Sequence, residues 1–560
     1  MAGTLGHKGQ RGRAAPERAA DLLVRCLEAE GVVHVFGIPG EETLDVSDAL
    51  DRSAIRFVPV RHEQAGAFMA DAIGRLTGRA GVCLGTLGPG ATNLVTGVAD
   101  AFLDRAPLVA LTGQSGLERM HKESHQYLDV VRLMSPITKW NARVSSPSIV
   151  PEAVRKAFKV AESEKPGATH LELPEDVMAA PAVGVPLERT AVVHPRPSDR
   201  DLARAAELLG AAEHPVVLAG NGVVRGAAAP ALRRFARRTR IPVAETFMGK
   251  GLLDVGDPLA LGAVGLQAGD YAAAGFDRAD VVVAVGYDLV EHAPRHWNPR
   301  RDKRILCIDS SPAEIDDHFV PEVELVGDIA FALGALARRC ERVVPWTANQ
   351  GLRTTVAGVL ASAAGDDAFP LRPPRILLEL RRAMRRDDLL VSDVGLHKLW
   401  IGRMFPAHEP NTVLIANGLA GMGFAVPAAI GAKLARPGQR VVAVSGDGGF
   451  LMNVQELETA NRLGTPFVNV VWENGQFGSI VWKQERRFGR HFGTDFTNPD
   501  LVALAGAFGL PAARAVSAGH FAQCLARFLS LDRPSVLVVP VDYSIDIAAA
   551  TGLGEETAPT

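Results

Sequence analysis

The sequence predicts an α/β protein built from three doubly wound parallel-sheet domains, and three observations carry that prediction. At 560 residues the chain is too long for one ordinary domain and has room for three of typical size. Short Val/Ile/Leu-rich runs alternate with helix-period segments almost throughout, as in parallel strands covered on both faces. Glycine turns and polar residues follow several of these runs directly, at the carboxyl ends of strands where open α/β sheets bind ligands.

In chain order, the first domain is expected over residues 16–180, with strands in VVHVFGI, IRFVPV, AGVCLGT, PLVALTG and ATHLELP. Residues 181–200 are rich in proline and turn formers and read as a linker over the surface. A central domain over 201–342 opens with a helix and the strand HPVVLAG and ends near the helix after VELVGDI. Residues 343–374 form a second connection. The third domain, 375–547, carries strands in DLLVSDVG, TVLIANG, QRVVAVSGDGG, TPFVNVVW and PSVLVVPVDY. No short-period repeat is visible, which argues against a solenoid.

Composition narrows the class. A hydrophobic fraction of 47% with 22% charged residues describes an ordinary globular protein with ample core. A formal net charge of −3 gives no reason to expect nucleic acid or an anionic membrane as a partner. The five cysteines (Cys26, Cys83, Cys307, Cys340, Cys524) are scattered and form no C-x-x-C pair, a usage that predicts buried thiols and a cytoplasmic setting. No apolar stretch is long enough to span a bilayer. The basic N-terminal segment lacks an apolar core of the secretory type and is expected to be a frayed tail, as is GLGEETAPT at the other end.

The segment from Gly446 to Ile480 is the most informative. It reads as an apolar strand (440–445), a Gly-Asp-Gly-Gly turn, an amphipathic helix, a second apolar strand (467–472), and then Asn474. Glycines in such a turn let main-chain N–H groups approach a phosphate at a helix N-terminus. Asp447 and Asn474 are hard oxygen donors, which suits Mg²⁺ held between protein and a diphosphate. Glycine turns after strands are common, but the spacing of this Asp to an Asn after the following strand is far more restrictive.

That spacing resembles the diphosphate–Mg²⁺ motif of thiamine-diphosphate enzymes. Four further segments carry the resemblance: VFGIPG (Val35 to Gly40), RHEQAGAFMADAIGRLTG (Arg61 to Gly78), TLGPGATNLVTGVADA (Thr86 to Ala101) and NGLAGMGFAVPAAIGA (Asn417 to Ala432). Over nearly the whole chain the sequence is similar to the 2-oxo acid branch of that family, and most of all to the acetolactate synthases. The resemblance implies a pyrimidine-binding, a central and a diphosphate-binding domain. It also implies a homodimer or homotetramer, with the first domain of one subunit facing the third domain of its partner.

The site residues follow from the same resemblance. Glu63 matches the carboxyl group that sits beside the aminopyrimidine and shifts its tautomer, a general acid–base role. Met422 matches an apolar wedge that bends the cofactor, with Ala420 beside it, and methionine suits an irregular gap. Pro39, Pro89 and Asn93 match the pyrimidine side. Val394, Gly395 and His397 match a second diphosphate loop, next to Gly446, Asp447, Gly448 and Gly449. Asn474, Gln476, Phe477 and Gly478 complete the cofactor set, and Asp447, Asn474 and Gln476 form the expected metal set. Two positions depart from the family pattern: Leu396 stands where many relatives carry a polar amide, and Glu473 replaces the commoner Asn. Gln126 aligns with a glutamine near the substrate. Trp482 and Lys483 fall on a helix expected after Gly478, at or next to a position that sorts acceptors. Lys483 has two readings, a partner for the acceptor carboxylate or a solvated lysine whose stem covers Trp482.

The implied reaction converts two pyruvates to 2-acetolactate and CO₂. Alternatives are a carboligase or decarboxylase with a different acceptor, and an inactive relative that serves as a binding or regulatory partner. Retention of Glu63, Asp447 and Asn474 together argues against the last. The segment Tyr287 to Asn298 lacks the Arg-Phe-Asp-Asp-Arg run of flavin-carrying relatives and resembles the catabolic, flavin-independent branch, so FAD is not expected. VVLAGNGVVRG is not a dinucleotide fingerprint, which favours a non-binding central domain over a nicotinamide or flavin oxidoreductase. His121, His125 and His292 have no metal-ligand spacing.

Overall fold

Three six-stranded, all-parallel sheets follow one another along the chain in this computed structural model, which describes residues 17–190, 193–265, 274–340, 346, 348, 350–545 and 547. The C-terminal tail, residues 1–16 of the expected N-terminal tail and the domain bounds Pro16 and Arg342 lie outside these described residues. The end of that N-terminal segment, expected to fray, instead forms the strand Glu17–Arg18 and the buried start of helix Ala19–Ala29. The first sheet runs, edge to edge, Arg56–Pro59, His34–Gly37, Gly81–Gly85, Leu108–Gln114, Ala168–Pro174 and Trp140–Arg143. The third runs Val413–Ile415, Leu389–Ser392, Val441–Gly446, Val468–Glu473, Ser535–Pro540 and Ala512–Arg514. Numbered by chain order within each sheet, both follow the order 2-1-3-4-6-5. The central sheet (Ala260–Ala263, Val243–Glu245, Pro215–Ala219, Val281–Val285, Arg304–Asp309, Val323–Val326) follows 3-2-1-4-5-6, the dinucleotide-binding order.

Most strands read from the sequence as apolar runs are buried, because helices cover both faces, whereas in the edge strand Arg56–Pro59 only Val58 is buried. The central-sheet strands Val243–Glu245, Ala260–Ala263 and Arg304–Asp309 were not singled out from the sequence, and neither were two edge strands of the first and third sheets, Trp140–Arg143 and Ala512–Arg514. Both are only half-buried and lack an apolar run, as suits an edge. The connection over 343–374 holds a helix, Gly351–Ser362. Its Leu352, Val356, Val359 and Leu360 recur at helical spacing and pack on the cores of the central and third sheets. The linker begins with a short strand, Pro181–Ala182, paired antiparallel with Glu17–Arg18. No helix among the described residues is long and apolar enough to cross a membrane, and all five cysteines are buried and free.

The first and third sheets share one hydrophobic core. Helix Glu63–Thr77 lies against helix Ala425–Ala435 so closely that a Cβ on Gly431 would sit 2.3 Å from the Met69 carbonyl oxygen. Phe68 and Phe424 meet edge to face at 5.4 Å, and the Arg75 guanidinium lies 5.1 Å from the Phe424 ring centre. Glu456, buried in helix Glu456–Leu463 of the third domain, also ties the two together. One carboxyl oxygen accepts the main-chain N–H groups of Arg61 (2.9 Å) and His62 (3.1 Å), and the other accepts the Thr459 hydroxyl (2.6 Å).

Burial, with Glu458 adding repulsion, pushes the Glu456 carboxyl up from 4.5 to about 7 against these hydrogen bonds. A carboxyl raised in the folded state contributes stability that is complete below its unfolded value and is lost as pH rises through its folded one. For Glu456 that window runs from 4.5 to about 7. Glu456→Gln mimics the neutral acid. It is expected to flatten the decline in stability between pH 4.5 and about pH 7, by on the order of 2–3 kcal/mol. Thermal or urea unfolding of both proteins across that range checks it, and parallel pH profiles would contradict it.

Candidate cofactor and active site

Two clusters of the expected residues form, each at the carboxyl edge of its sheet, where the strand order reverses. In the first sheet this point lies between His34–Gly37 and Gly81–Gly85. The loops after these strands meet so tightly that a Cβ on Gly40 would fall 2.3 Å from Thr86 Oγ1. Glu63 is the first residue of its helix, capped by His62, whose Nδ1 accepts from Gln64 N (3.2 Å). Its side chain is 6% exposed, and Oε2 accepts a 2.9 Å hydrogen bond from Asn93 Nδ2. Asn93 stands one turn into helix Pro89–Leu103, whose N-terminal Pro89 is exposed, as is Pro39 across the loop. A Cβ on Gly90 would come within 3.3 Å of Glu63 Oε1, so only glycine leaves this space beside the carboxylate. Gln126, exposed and in the left-handed region (φ 58°), folds over the same turn, where a Cβ on Gly88 would meet it at 2.9 Å. Glu63, Asn93, Pro89 and Gln126 are thus gathered on one edge.

The second cluster lies between Leu389–Ser392 and Val441–Gly446 of the third sheet. Asp447 opens helix Asp447–Met452 and is 1% exposed. Its Oδ1 accepts Gly448 N (2.9 Å), and its Oδ2 accepts Asn474 N (2.9 Å), Gly475 N (2.7 Å) and Asn498 Nδ2 (2.9 Å). These bonds bring the Asp and the Asn of the sequence motif together. The Gln476 side chain is held by Asp495 Oδ1 (2.6 Å), and its main-chain carbonyl accepts Gly478 N (2.9 Å). The Phe477 and Phe496 rings meet at a tilt of 55°, their centres 4.9 Å apart. His397 is buried with Nε2 unpartnered, and its ring lies where a Cβ on Gly395 (2.8 Å) or Gly446 (3.4 Å) would reach it. Burial pushes its pKa down to about 4, so the ring is neutral at pH 7. Cβ atoms on Gly448 and Gly449 would meet Phe477 and Asp393 at 3.0 Å. A glycine-walled cradle with a buried acid and an orphaned imidazole nitrogen fits a diphosphate and a hard cation.

Ala420 and Met422 sit on the adjoining loop. Ala420 is held at φ 60°, an uncommon conformation for a side-chain-bearing residue, and Met422 is half-buried. Helix Gly478–Phe488 forms as expected after Gly478. Trp482 is half-buried, and Arg486 rather than Lys483 lies over its ring, at 5.2 Å. Lys483 is exposed. Sequence reasoning missed Asp393, whose buried carboxyl binds the N–H groups of Val394 (2.7 Å), Gly423 (2.9 Å) and Ala425 (3.1 Å). Its only signal was a polar residue directly after a strand. Asn498, distant in sequence from the GDGG turn, gave none.

The central sheet's crevice is filled from within. Between Pro215–Ala219 and Val281–Val285, Gly220 and Gly222 pack on Gly286 at distances that forbid a Cβ. Glu291 Oε1 accepts Asn221 N (3.0 Å) and Asp288 N (3.3 Å), and its other oxygen accepts the Thr246 hydroxyl. Lys165 of the first domain reaches in to Asp288 (2.7 Å) and Asp309 (3.5 Å), and Arg225 pairs with Asp288 (2.8 Å). Tyr287, in the segment that departs from flavin-carrying relatives, is buried and donates to the His292 carbonyl. His292 itself contacts His296 at 3.2 Å.

Comparison with known proteins places this geometry. Profiles described as the N-terminal TPP binding domain, the central domain and the C-terminal TPP binding domain of thiamine pyrophosphate enzymes match residues 17–133, 202–336 and 393–539. The acetolactate synthase of Bacillus subtilis (strain 168) is 37% identical over 547 residues, covering 95% of each chain. The catabolic acetolactate synthase of Raoultella terrigena is 36% identical over 94% of this chain and 95% of its own. The large subunit of acetolactate synthase isozyme 2 of Escherichia coli (strain K12) is 33% identical over 93% of this chain and 95% of its own. The chain belongs to the thiamine pyrophosphate enzymes, within the acetolactate synthase family.

Proposed function

We propose that the protein joins two molecules of pyruvate to give 2-acetolactate and CO₂, using thiamine diphosphate and Mg²⁺. The observation that carries this reading is the pair of edge clusters, Glu63 with Asn93 and Asp447 with Asn474, at matching switch points of two sheets of the same topology. When bound, thiamine diphosphate supplies the carbanion chemistry that decarboxylates a 2-oxo acid and joins the remaining unit to an acceptor. Glu63 holds a proton at the pyrimidine N1′ atom, and Asn93 fixes the orientation of its carboxyl group. Asp447, Asn474 and the Gln476 carbonyl hold the cation. Val394, Gly395, His397 and Gly446 to Gly449 hold the diphosphate, and His397 Nε2 finds its partner there. Ala420 and Met422 shape the floor under the rings, with Phe477 and Gly478 beside them. Gln126 and Lys483, both exposed, are the side chains proposed to meet the second substrate's carboxylate. Analysis of products from pyruvate alone tests the reaction: 2-acetolactate is expected, and acetaldehyde as sole product would overturn it in favour of a simple decarboxylase.

The two clusters are each half of a site, and a second copy of the chain is proposed to supply the missing half. Exposed apolar side chains surround both: Leu128 (46%) near the first, Ile480 (45%), Phe488 (63%) and Phe492 (81%) near the second. Apolar surface of this kind, where contiguous, marks a site of protein–protein contact. The reaction is proposed to need no flavin, because the position a dinucleotide pyrophosphate would take at the Asn221 N–H already holds the Glu291 carboxylate.

Glu63→Gln is expected to leave thiamine diphosphate bound while slowing C2–H/D exchange of the cofactor by roughly 10²–10⁴-fold. Near-wild-type exchange measured by NMR would remove Glu63 from the role. Asp447→Ala and Asn474→Ala each take an oxygen from an ion that keeps close to octahedral geometry, and Mg²⁺-dependent retention of the cofactor is expected to be lost. Tryptophan-quenching titration at fixed Mg²⁺ reads this, and unchanged affinity in both variants would put the metal elsewhere. The purified enzyme is expected to be colourless and active without added flavin. A stoichiometric flavin absorbance band that disappears together with activity on extraction would contradict this.

A further inference from the structure

The loop 417–425 carries Ala420 and Met422, has neither strand nor helix before Ala425, and is enclosed between two domains. Its main-chain N–H groups are taken up almost one by one by buried carboxylates. Asp104 Oδ2 accepts Asn417 N (2.9 Å) and its Oδ1 accepts Gly418 N (2.5 Å). Asp100 Oδ1 accepts Gly421 N (3.2 Å). Asp393 takes Gly423 N and Ala425 N. Between these anchors fall Leu419, Ala420 and Met422. The glycines are needed for the approach: a Cβ on Gly418 would sit 2.8 Å from Leu103 Cβ, and one on Gly421 would sit 3.2 Å from Phe68 Cζ.

Asp100 and Asp104 belong to the first domain, at the end of the helix whose first turns carry Pro89 and Asn93. Arg75 secures both. It donates to Asp104 Oδ2 (2.6 Å), lies 3.5 Å from Asp100 Oδ2, and reaches the loop's own approach strand at the Ile415 carbonyl (2.8 Å). We propose that Asp100 and Asp104 are positioning residues: acting through the main chain of the 417–425 loop, they hold Ala420 and Met422 in the shape the cofactor rings require, before any cofactor arrives. This rests on the reading of Ala420 and Met422 given under Proposed function. Burial and the neighbouring Asp104 and Asp71 keep the Asp100 carboxyl well above the usual carboxylate range, so asparagine is a close replacement for it and leucine is not.

Amide hydrogen exchange resolved to single residues, on the full-length protein without cofactor, tests the anchoring directly. Asn417, Gly418, Gly421 and Gly423 are expected to be protected although they lie in a loop, and Ala420 and Met422 are not. Uniformly fast exchange across the loop in the wild-type protein would overturn the proposal without any variant. In Asp100→Leu the Gly421 amide is expected to exchange about tenfold faster, the worth of one net hydrogen bond. Thiamine diphosphate affinity should stay within a few-fold of wild type, because the diphosphate grip is untouched. C2–H/D exchange should fall by on the order of 10²-fold, as a misplacement near 1 Å demands. Asp100→Asn restores both readouts. If Asp100→Leu does not fold, Asp104→Asn, which keeps one acceptor of two, carries the same comparison at Asn417 and Gly418. A folded variant with loosened loop amides and unchanged C2 exchange would leave a docking contact only. Failure of the wild-type protein to bind thiamine diphosphate at all would instead remove the underlying reading.

Discussion

Main-chain N–H groups in buried loops are the constraint around which the rest of this structure is arranged. A parallel sheet ends its ladders at the carboxyl edge, and the loops that follow carry donors that neither strand nor helix satisfies. Leaving one unpaired in the interior costs about 1–3 kcal/mol. Buried carboxyl groups meet that demand at each edge. Asp447 gathers Gly448, Asn474 and Gly475, Asp393 gathers Val394, Gly423 and Ala425, and Glu291 gathers Asn221 and Asp288. Glu456 does the same across a domain boundary for Arg61 and His62. Each carboxyl offers several lone pairs within a small volume, so one side chain fixes two or three loops at once.

This explains which parts of the molecule were legible in the sequence. The strands were, since an apolar run buried on both faces leaves a continuous Val/Ile/Leu signature. So was the meeting of Asp447 with Asn474, because the two are separated by one strand–helix–strand unit whose length is nearly fixed. The pairing of Glu63 with Asn93 had no local signal beyond the family pattern, as a Glu that opens a helix also favours the helix dipole. Asp71 with Arg75, and Asp100 with Asp104, stand four residues apart on helices, which in sequence looks the same as solvated pairs on an exposed face. Their burial comes from the docking of the first domain on the third, a tertiary event with no local trace. Edge strands and the helix Gly351–Ser362 escaped for a simpler reason: the former lack an apolar run, and the latter lies in a segment punctuated by glycine and proline.

The first and third sheets share one strand order, and the central one does not. The shared order brings a loop after the first strand and a helix-opening turn after the third to the same place in both. The first sheet fills that place with the Gly40 loop and the Gly88 turn, the third with Asp393 and the Gly446 turn. The same architecture thus yields an edge that presents a carboxyl group beside a helix start, and an edge that presents glycine N–H groups and a buried acid. A cofactor with an uncharged ring at one end and a diphosphate at the other needs one of each.

The central sheet has the order that elsewhere serves dinucleotides, yet its crevice is closed by groups that would have to be displaced together. A pyrophosphate approaching the Asn221 N–H would first expel the Glu291 carboxylate, which unmakes its contacts with Asn221, Asp288 and Thr246. At about 1–3 kcal/mol for each buried group left unpaired, that is a heavy opposing term before any new contact forms. Lys165 adds a second closure from another domain: with Arg225, its ammonium group balances Asp288 and Asp309 beside the crevice. Withdrawing it would leave Asp309 buried without its ion-pair partner and Asp288 with Arg225 alone, a destabilising change. Ion pairs that reach across the domain boundary thus tie the central domain to the first, and they occupy the place in its nucleotide-type topology where the strand order reverses.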